Sequence, residues 1–107
     1  MIPHGVEVFV AVAPVDMRFG FERLAGIVRE RMGRDARSRA ALFVFIGKRR
    51  QTLKALWWDG TGTVLCYKRL DSGVFEIPRP EREGDASVVV SDAAFDALLL
   101  GLRRSVH

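Results

Sequence analysis

The residues with the clearest chemical potential in this chain are cations that alternate with aromatic side chains near its middle. Lys48, Arg49 and Arg50 follow one another in a polar stretch. Lys54 and Trp58 lie in the next apolar segment, on one face of a strand, because every second strand residue points the same way. Cations beside aromatic rings match the contacts of nucleic-acid-binding proteins, in which cations neutralise phosphates and rings stack on bases.

The segment at 63–70 carries the same kinds of side chain. As a strand it would place Tyr67 and Arg69 on one face and Lys68 on the other. Trp57 is expected in the core, whereas Trp58 fits a half-buried sheet position as well as a stacking role. We predict nucleic-acid contacts from eight residues: Lys48, Arg49, Arg50, Lys54, Trp58, Tyr67, Lys68 and Arg69. The sequence leaves open whether these residues share one surface.

The charge of the chain is concentrated in its middle third. The 107 residues include 17 Lys and Arg against 13 Asp and Glu, for a formal net charge of +4. Residues 18–50 hold ten bases and three acids, whereas residues 51–107 hold seven bases and eight acids. Such a local field attracts polyanions. A solvated basic face without a partner has the same composition, so this alternative stays open.

Residue types that support nucleophilic catalysis are poorly placed here. The histidines, His4 and His107, lie near the chain ends, where a catalytic base is hard to hold. Cys66 lies in the middle of a predicted strand and is expected to pack as a small hydrophobe. As the single cysteine, it cannot form an intramolecular disulfide or belong to a zinc-binding cluster. We therefore predict no catalytic residue and no cofactor.

Acidic residues have local explanations that compete with metal binding. We expect Asp16 to be a helix N-cap and Asp59 and Asp71 to be turn residues. No strand carries a carboxylate pair followed by lysine, the pattern typical of metal-dependent nucleases. No metal site is predicted. A divergent nuclease that uses Asp16 and Asp59 is the third and least favoured of three functional alternatives.

Length and composition favour one folded domain over residues 1–107. A hydrophobic fraction of 49% with 28% charged residues is typical of a globular chain. The longest apolar runs, at 41–47 and 94–102, are too short to cross a bilayer. The first residues lack the basic and apolar regions of a signal peptide. We therefore expect a bacterial cytoplasmic location and no membrane partner.

The elements that must position the cations follow from hydrophobic periodicity. A strand is predicted at 6–12, followed by a helix from Asp16 to a stop at Gly33. The inward stripe of that helix is expected to comprise Met17, Phe21, Leu24, Val28 and Met32. Gly20 lies within this range and indicates either close packing or a later helix start. The loop at 34–40 would extend the basic cluster with Arg34, Arg37 and Arg39 if it folded to that side.

The rest of the chain is rich in strands and tight turns. Strands are predicted at 41–47, 52–59, 63–70, 74–77 and 87–90. A last helix is capped by Ser91 or Asp92, and its inward stripe is expected to comprise Phe95, Leu98, Leu99 and Leu102. The predicted fold class is α+β, with a mainly antiparallel sheet of about five strands flanked by two helices.

Three segments together resemble a known family. They are DMRFGFERLAGIV at 16–28, LFVFIGKRRQTLKALWWDGTG at 42–62 and YKRLDSGVFEIP at 67–78. They are similar to the TnpB-type accessory protein, the second open reading frame, of the insertion sequence 66 family, which is distinct from the RNA-guided nuclease also called TnpB. The resemblance spans nearly the whole chain. Its motif positions are Asp16, Met17, Arg18, Lys48, Arg49, Lys54, Trp58, Asp59, Lys68 and Arg69.

Two positions depart from the family pattern. Phe19 stands where the family usually has a base, and Ile77 stands where it usually has an aromatic residue. The first change removes a cation near Arg18. The second is expected to alter packing alone.

The resemblance implies a non-catalytic protein that assists DNA transposition beside a separate transposase. It supplies no catalytic residues and no mechanism. Our leading hypothesis is direct binding of element DNA through the basic and aromatic residues. The alternative is an adaptor that binds the transposase or another accessory protein without DNA contact, through Arg18, the turn at 48–50 and Trp58. The oligomeric state cannot be read from the sequence.

Overall fold

The protein is described by a computed structural model that covers Pro3 and residues 5–103. The predictions for His4 and His107 therefore lie outside the described residues. The elements, in chain order, are β1 (Glu7–Ala11), α1 (Phe21–Glu30), β2 (Ala41–Ile46), β3 (Thr52–Trp58), β4 (Thr63–Arg69), β5 (Ser87–Val90) and α2 (Asp92–Leu100). Within the described part of the chain, neither helix is long and apolar enough to cross a membrane.

The five strands form one mixed sheet in the order β4-β3-β2-β1-β5. Strands β1 and β2 are parallel, and the other neighbouring pairs are antiparallel. The predicted α+β class with a mainly antiparallel sheet is thus confirmed. Because β1 and β2 are parallel, α1 connects them as a crossover, and both strands end on the same side of the sheet. We call this side the carboxyl end of the sheet; β4 also ends there and β3 begins there.

Each face of the sheet carries its own hydrophobic core. On one face, Leu24 and Val28 of α1 pack with Phe9, Phe43 and Phe45 of the strands. On the other face, the core includes Phe95 of α2, Phe75, Trp57 and partly buried Cys66. Every residue of β2 is buried, which explains its continuous apolar run. The placement of Trp57 in the core is confirmed.

Asp16 was predicted to be the N-cap of the first helix, and that prediction is wrong because α1 begins later, at Phe21. Gly20 is the N-cap residue of α1, without a side-chain cap. Residues 16–19 form a turn, in which the Phe19 amide donates to the Asp16 carbonyl at 3.0 Å and the Asp16 carboxylate accepts from the Arg18 amide at 2.9 Å. Phe21, predicted on the inward stripe, is 52% exposed. The helix stop is confirmed, because Gly33 has a φ of 66°.

The strand predicted at 74–77 does not form. Val74 makes one isolated bridge to Leu102, and the Phe75 amide donates to the Arg50 carbonyl at 2.6 Å. The fully buried Phe75 ring fixes this segment on the α2 face of the sheet. The apolar pattern at 74–77 therefore reflects burial of one ring and not strand pairing. Ile77 packs against the same core, as a packing position should.

The second helix begins as predicted at one of its two candidate caps. The Ser91 hydroxyl accepts a hydrogen bond from the Ala94 amide at 3.1 Å. Phe95 is buried and Leu98 and Leu99 are partly buried against the core, which confirms most of the predicted stripe. Leu102 lies beyond the end of α2 and is 53% exposed, so its predicted inward position is wrong.

We predict that Gly47→Ala destabilises the protein by about 1 to 3 kcal/mol, because an added methyl group overpacks the turn after β2. A Cβ at Gly47 would clash with the Thr52 hydroxyl oxygen and would lie 2.9 Å from Met17 Cγ. Thr52 is β-branched and cannot rotate freely to relieve this contact. The measurement is urea denaturation followed by circular dichroism.

The matched control for this substitution is Gly62→Ala. A Cβ at Gly62 would have no heavy atom within 4 Å, so its effect should stay within about 0.5 kcal/mol. Equal stability of the Gly47→Ala variant and the wild type would contradict the close approach at this turn.

Candidate nucleic-acid interface

A basic cleft of about 350 Å³ opens at the carboxyl end of the sheet. Four cationic side chains line it together with one carboxylate and several uncharged residues. The lining residues are Val15, Asp16, Met17, Arg18, Lys48, Arg49, Gln51, Thr52 and Arg69. They come from the segment after β1, the turn between β2 and β3, the start of β3 and the end of β4. We call this feature the carboxyl-end cleft.

Main-chain pairing joins the first two walls of the cleft. Val15 forms an isolated parallel bridge to Gly47, and the Val15 amide donates to the Ile46 carbonyl at 3.0 Å. Gly47 is buried, and it leaves no room for a side chain between Thr52 and Met17. The parallel direction of β1 and β2 thus continues past the strand ends and places Arg18 near Lys48.

The ammonium group of Lys54 holds the segment after β1 against the sheet. Its Nζ donates to the Met17 carbonyl at 2.7 Å and to the Phe19 carbonyl at 2.9 Å. The same carbonyls would accept amide hydrogen bonds in a helix that began at Asp16, and here they accept from Lys54 while α1 begins after Gly20. Two of the three donors of Lys54 are therefore committed inside the protein.

Asp16 and Arg18 form a tight ion pair at the rim of the cleft. The Arg18 guanidinium donates to the Asp16 carboxylate at 2.6 Å through its terminal nitrogen and at 3.1 Å through Nε. Hydrogen bonds from the Arg18 side chain and amide, with the nearby charge of Lys48, hold the pKa of Asp16 well below its usual range. The Arg18 side chain is still 90% exposed. Its remaining N–H groups are therefore available to a ligand.

The other three cations of the cleft are exposed, and they belong to none of the ion pairs found among residues 5–103. Lys48, Arg49 and Arg69 all point into solvent at the cleft. The ion pairs found among residues 5–103 join Arg18 to Asp16 and Arg29 to Glu30. The cleft therefore presents four cations against one carboxylate, and that carboxylate is already neutralised by Arg18.

Tyr67 borders the cleft on the outermost strand. It lies two residues before Arg69 in β4 and opposite Lys54 in β3, so the three side chains share one face of the sheet. The Lys54 ammonium lies over the Tyr67 ring, and its nitrogen is 5.8 Å from the ring centroid. Tyr67 is 54% exposed. It thus offers an aromatic surface next to the cationic cleft.

Trp58 lies at the other end of β3, away from the cleft. Six residues separate it from Thr52, which corresponds to about 20 Å along a strand. The guanidinium carbons of Arg37 and Arg39 lie 5.9 Å and 5.5 Å from the Trp58 ring. Arg37 and Arg39 therefore lie at the far end of the sheet, and Arg34 lies over the Phe9 ring. The condition under which the 34–40 loop would extend the basic turn is not met.

Two further predicted contact residues point elsewhere. Lys68 lies on the α2 face, where its Nζ donates to the Leu99 carbonyl at 2.7 Å. Arg50 is exposed, but it is not among the residues that line the cleft, and its carbonyl faces Phe75. The eight predicted residues therefore do not share one surface. The structure gathers Lys48, Arg49 and Arg69 in the cleft, places Lys54 and Tyr67 beside it, and separates Arg50, Trp58 and Lys68 from it.

The two carboxylates of the nuclease alternative lie at opposite ends of β3. Asp16 lines the carboxyl-end cleft, whereas Asp59 follows Trp58 at the far end. The Asp59 carboxylate accepts hydrogen bonds from the amides of Thr61 and Gly62, both at 2.8 Å, which lower its pKa and confirm its role in the turn. Asp16 and Asp59 therefore cannot hold one ion between them. Residues 5–103 contain no group of three or more His, Cys, Asp or Glu side chains arranged to hold a metal.

Sequence reasoning did not place Arg18, Gln51 and Thr52 in the predicted nucleic-acid site. Arg18 was identified as a motif residue and as a contact of the adaptor alternative. The reason is that the parallel pairing of β1 with β2 was not predicted, since the sheet was expected to be mainly antiparallel. A strand, a helix and a buried strand in succession are typical of such a crossover and would have brought residues 15–18 to the turn at 47–51.

Comparison with known proteins identifies the family of the chain. A family model described as IS66 Orf2 like protein matches residues 6–106, a range that includes the whole cleft. The chain is similar to two proteins of Sinorhizobium fredii (strain NBRC 101917 / NGR234), y4hO and y4jC, which both bear the description "uncharacterized protein". It is 38% identical to y4hO over 104 residues, which are 95% of this chain and 87% of that protein. It is 36% identical to y4jC over 99 residues, which are 92% and 81% of the two chains. No solved structure matches the chain.

We predict that Lys54→Met lowers the free energy of unfolding by about 1 to 3 kcal/mol, because it leaves the Met17 and Phe19 carbonyls without their donor. Methionine keeps most of the apolar stem, so the loss reports mainly on the ammonium group. Urea denaturation measures the effect, and amide NMR shifts of residues 15–19 should move with it.

Lys48→Met is the matched control for this substitution. It removes the same charge from an exposed turn position, and its effect should stay within about 0.5 kcal/mol. Equal effects of the two substitutions would show that Lys54 contributes no more than a surface charge.

Proposed function

The chain belongs to the IS66 Orf2-like family of insertion-sequence accessory proteins, and from this premise we propose that it assists transposition by binding DNA phosphates in the carboxyl-end cleft. The observation that carries the proposal is the convergence of Arg18, Lys48, Arg49 and Arg69 on one cleft. These residues come from three separate parts of the chain. Only the folded sheet brings them together.

The chemistry of the cleft suits a phosphodiester backbone. Arginine offers a planar set of N–H donors that can bind two phosphate oxygens at once, and lysine adds a mobile point charge. The only carboxylate of the cleft, Asp16, is paired with Arg18 and so repels an approaching phosphate less than a free carboxylate would. Phosphate contacts position a protein on DNA without reading its sequence.

In this proposal the protein is not an enzyme and acts beside a separate transposase, as the resemblance implies. The separation of Asp16 from Asp59 supports a binding role over a two-carboxylate nuclease. Element DNA is the proposed ligand and the transposase system the proposed partner. We propose that residues 1–107 act as one domain in the bacterial cytoplasm, and the binding reaction requires no cofactor.

The proposal predicts that the double substitution Lys48→Gln with Arg49→Gln weakens DNA binding about tenfold or more at low salt. The probes are a fluorescein-labelled 20-base-pair duplex and a 20-nucleotide single strand, measured by fluorescence anisotropy. If the wild type neutralises four phosphates, the slope of log affinity against log salt is about −3 to −4, and the variant should reduce it by about 2.

The matched control is the double substitution Arg37→Gln with Arg39→Gln. It removes the same charge from the far end of the sheet and should leave affinity within about twofold. Equal losses from both pairs would indicate nonspecific attraction to a basic protein. Absence of binding by the wild type at low salt would contradict the proposal itself.

A second candidate function is a protein adaptor, and the far end of the sheet favours it. Trp58 is half-buried, and the guanidinium groups of two exposed arginines, Arg37 and Arg39, lie near its ring. Tryptophan and arginine are enriched among residues that dominate protein interfaces. An adaptor site here would be separate from the cleft. The adaptor hypothesis therefore no longer places Trp58 and the turn at 48–50 in one interface.

For the adaptor we predict that Arg37→Gln with Arg39→Gln abolishes co-purification with the transposase from nuclease-treated extract, because it removes both guanidinium groups beside Trp58. The Lys48→Gln with Arg49→Gln pair serves as the control and should leave the complex intact. Retention of the complex by the first pair, or failure of the wild type to form one, would count against this candidate.

A further inference from the structure

We propose that the preferred ligand is single-stranded or locally unpaired DNA, held with its phosphates in the carboxyl-end cleft and one base stacked on Tyr67. This inference rests on the proposed function, since it specifies which form of DNA the cleft takes. Its distinctive element is the aromatic ring beside the cations. A purely electrostatic cleft would not need that ring.

Tyr67 is placed as a stacking platform and not as a core residue. It lies on the outermost strand with 54% of its surface exposed, whereas the rings of Phe9, Phe43 and Phe45 on the same face are buried. The Lys54 ammonium lies over the Tyr67 ring, and that ammonium is anchored by two carbonyl oxygens. The ring is therefore flanked by an anchored cation, and more than half of the residue's surface stays exposed to a ligand.

The spacing between the ring and the cleft suits one nucleotide unit. Tyr67 and Arg69 are two residues apart on the same face of β4, which corresponds to about 7 Å. A base and the phosphate of a neighbouring nucleotide are separated by a comparable distance in an extended strand. A strand that stacks a base on Tyr67 would therefore bring its next phosphate to Arg69 and then to Lys48 and Arg49.

An intact duplex fits this arrangement less well. Its bases are stacked on each other, so their faces are closed to a side chain at the surface, and only unpaired bases can stack on a protein ring. The walls of the cleft are the turn at residues 16–19, the turn after β2 and strand ends, and none of them is a helix that could enter the major groove.

The test compares Tyr67→Leu with wild type on a 12-nucleotide oligothymidylate and on a blunt-ended 12-base-pair duplex made of two annealed strands. The substitution should weaken single-strand binding by about five- to a hundredfold, the usual effect of losing one aromatic stack. Duplex binding should change less than twofold, because its phosphates would meet the cleft alone. Tyr67→Phe keeps the ring and should bind the single strand within about twofold of wild type.

Phe21→Leu is the matched control, since Phe21 is a similarly exposed aromatic residue on α1. It should leave both affinities unchanged. An independent readout uses the unaltered protein: an oligothymidylate with one 5-iododeoxyuridine should photo-crosslink to Tyr67, located by mass spectrometry. This readout does not depend on how the variants fold.

The outcomes separate this inference from the function on which it rests. Equal losses of duplex and single-strand binding in Tyr67→Leu, no loss of either, or a crosslink at Trp58 would overturn the stacking role. If Lys48→Gln with Arg49→Gln still weakened binding tenfold or more in those cases, the cleft would remain a DNA site without base stacking. If the wild type bound neither probe, both proposals would fail together.

Discussion

The contact between the Lys54 ammonium and the carbonyls of Met17 and Phe19 determines the shape of the site. A lysine on the inner face of a sheet needs acceptors for its donors, and the segment after β1 supplies them. Lys54 holds these carbonyls, α1 begins only at Phe21, and residues 16–19 form a turn beside the turn after β2. The cleft is thus a consequence of how one partly buried charge is satisfied. Lys54 positions the cleft without lining it.

Much of the fold was predictable because its signals are local. The continuous apolar run of β2, the Asp59 turn and the Ser91 cap each depend on a few neighbouring residues, and the structure has all three. The start of α1 was not predictable in this way. Its helical periodicity extends back to Met17, but hydrogen bonds from a lysine 37 residues away override it. The apolar run at 74–77 wrongly predicted a strand for a related reason, since it reflects the burial of Phe75 through tertiary packing.

The candidate site was predictable in its residue types and less so in its geometry. The basic middle segment of the sequence is divided in space, with Lys48 and Arg49 at the carboxyl end of the sheet and Arg37 and Arg39 at the far end beside Trp58. Sequence proximity concealed this division, and it also concealed the parallel pairing that brings Arg18 to the cleft. The match to IS66 Orf2-like proteins identifies the family, and the geometry places its basic residues at two separate ends of the sheet.

The central claim is that one cleft, and not overall basicity, holds DNA. Amide NMR of the isotopically labelled protein, titrated with oligothymidylate at low salt, tests it most directly because it reports on each residue at once. The account predicts the largest shift changes at residues 15–18, 48–52 and 67–69, with little change in α2 or in the loop at 34–40. Changes spread evenly over the basic residues, or centred on Trp58 and the 34–40 loop, would contradict it.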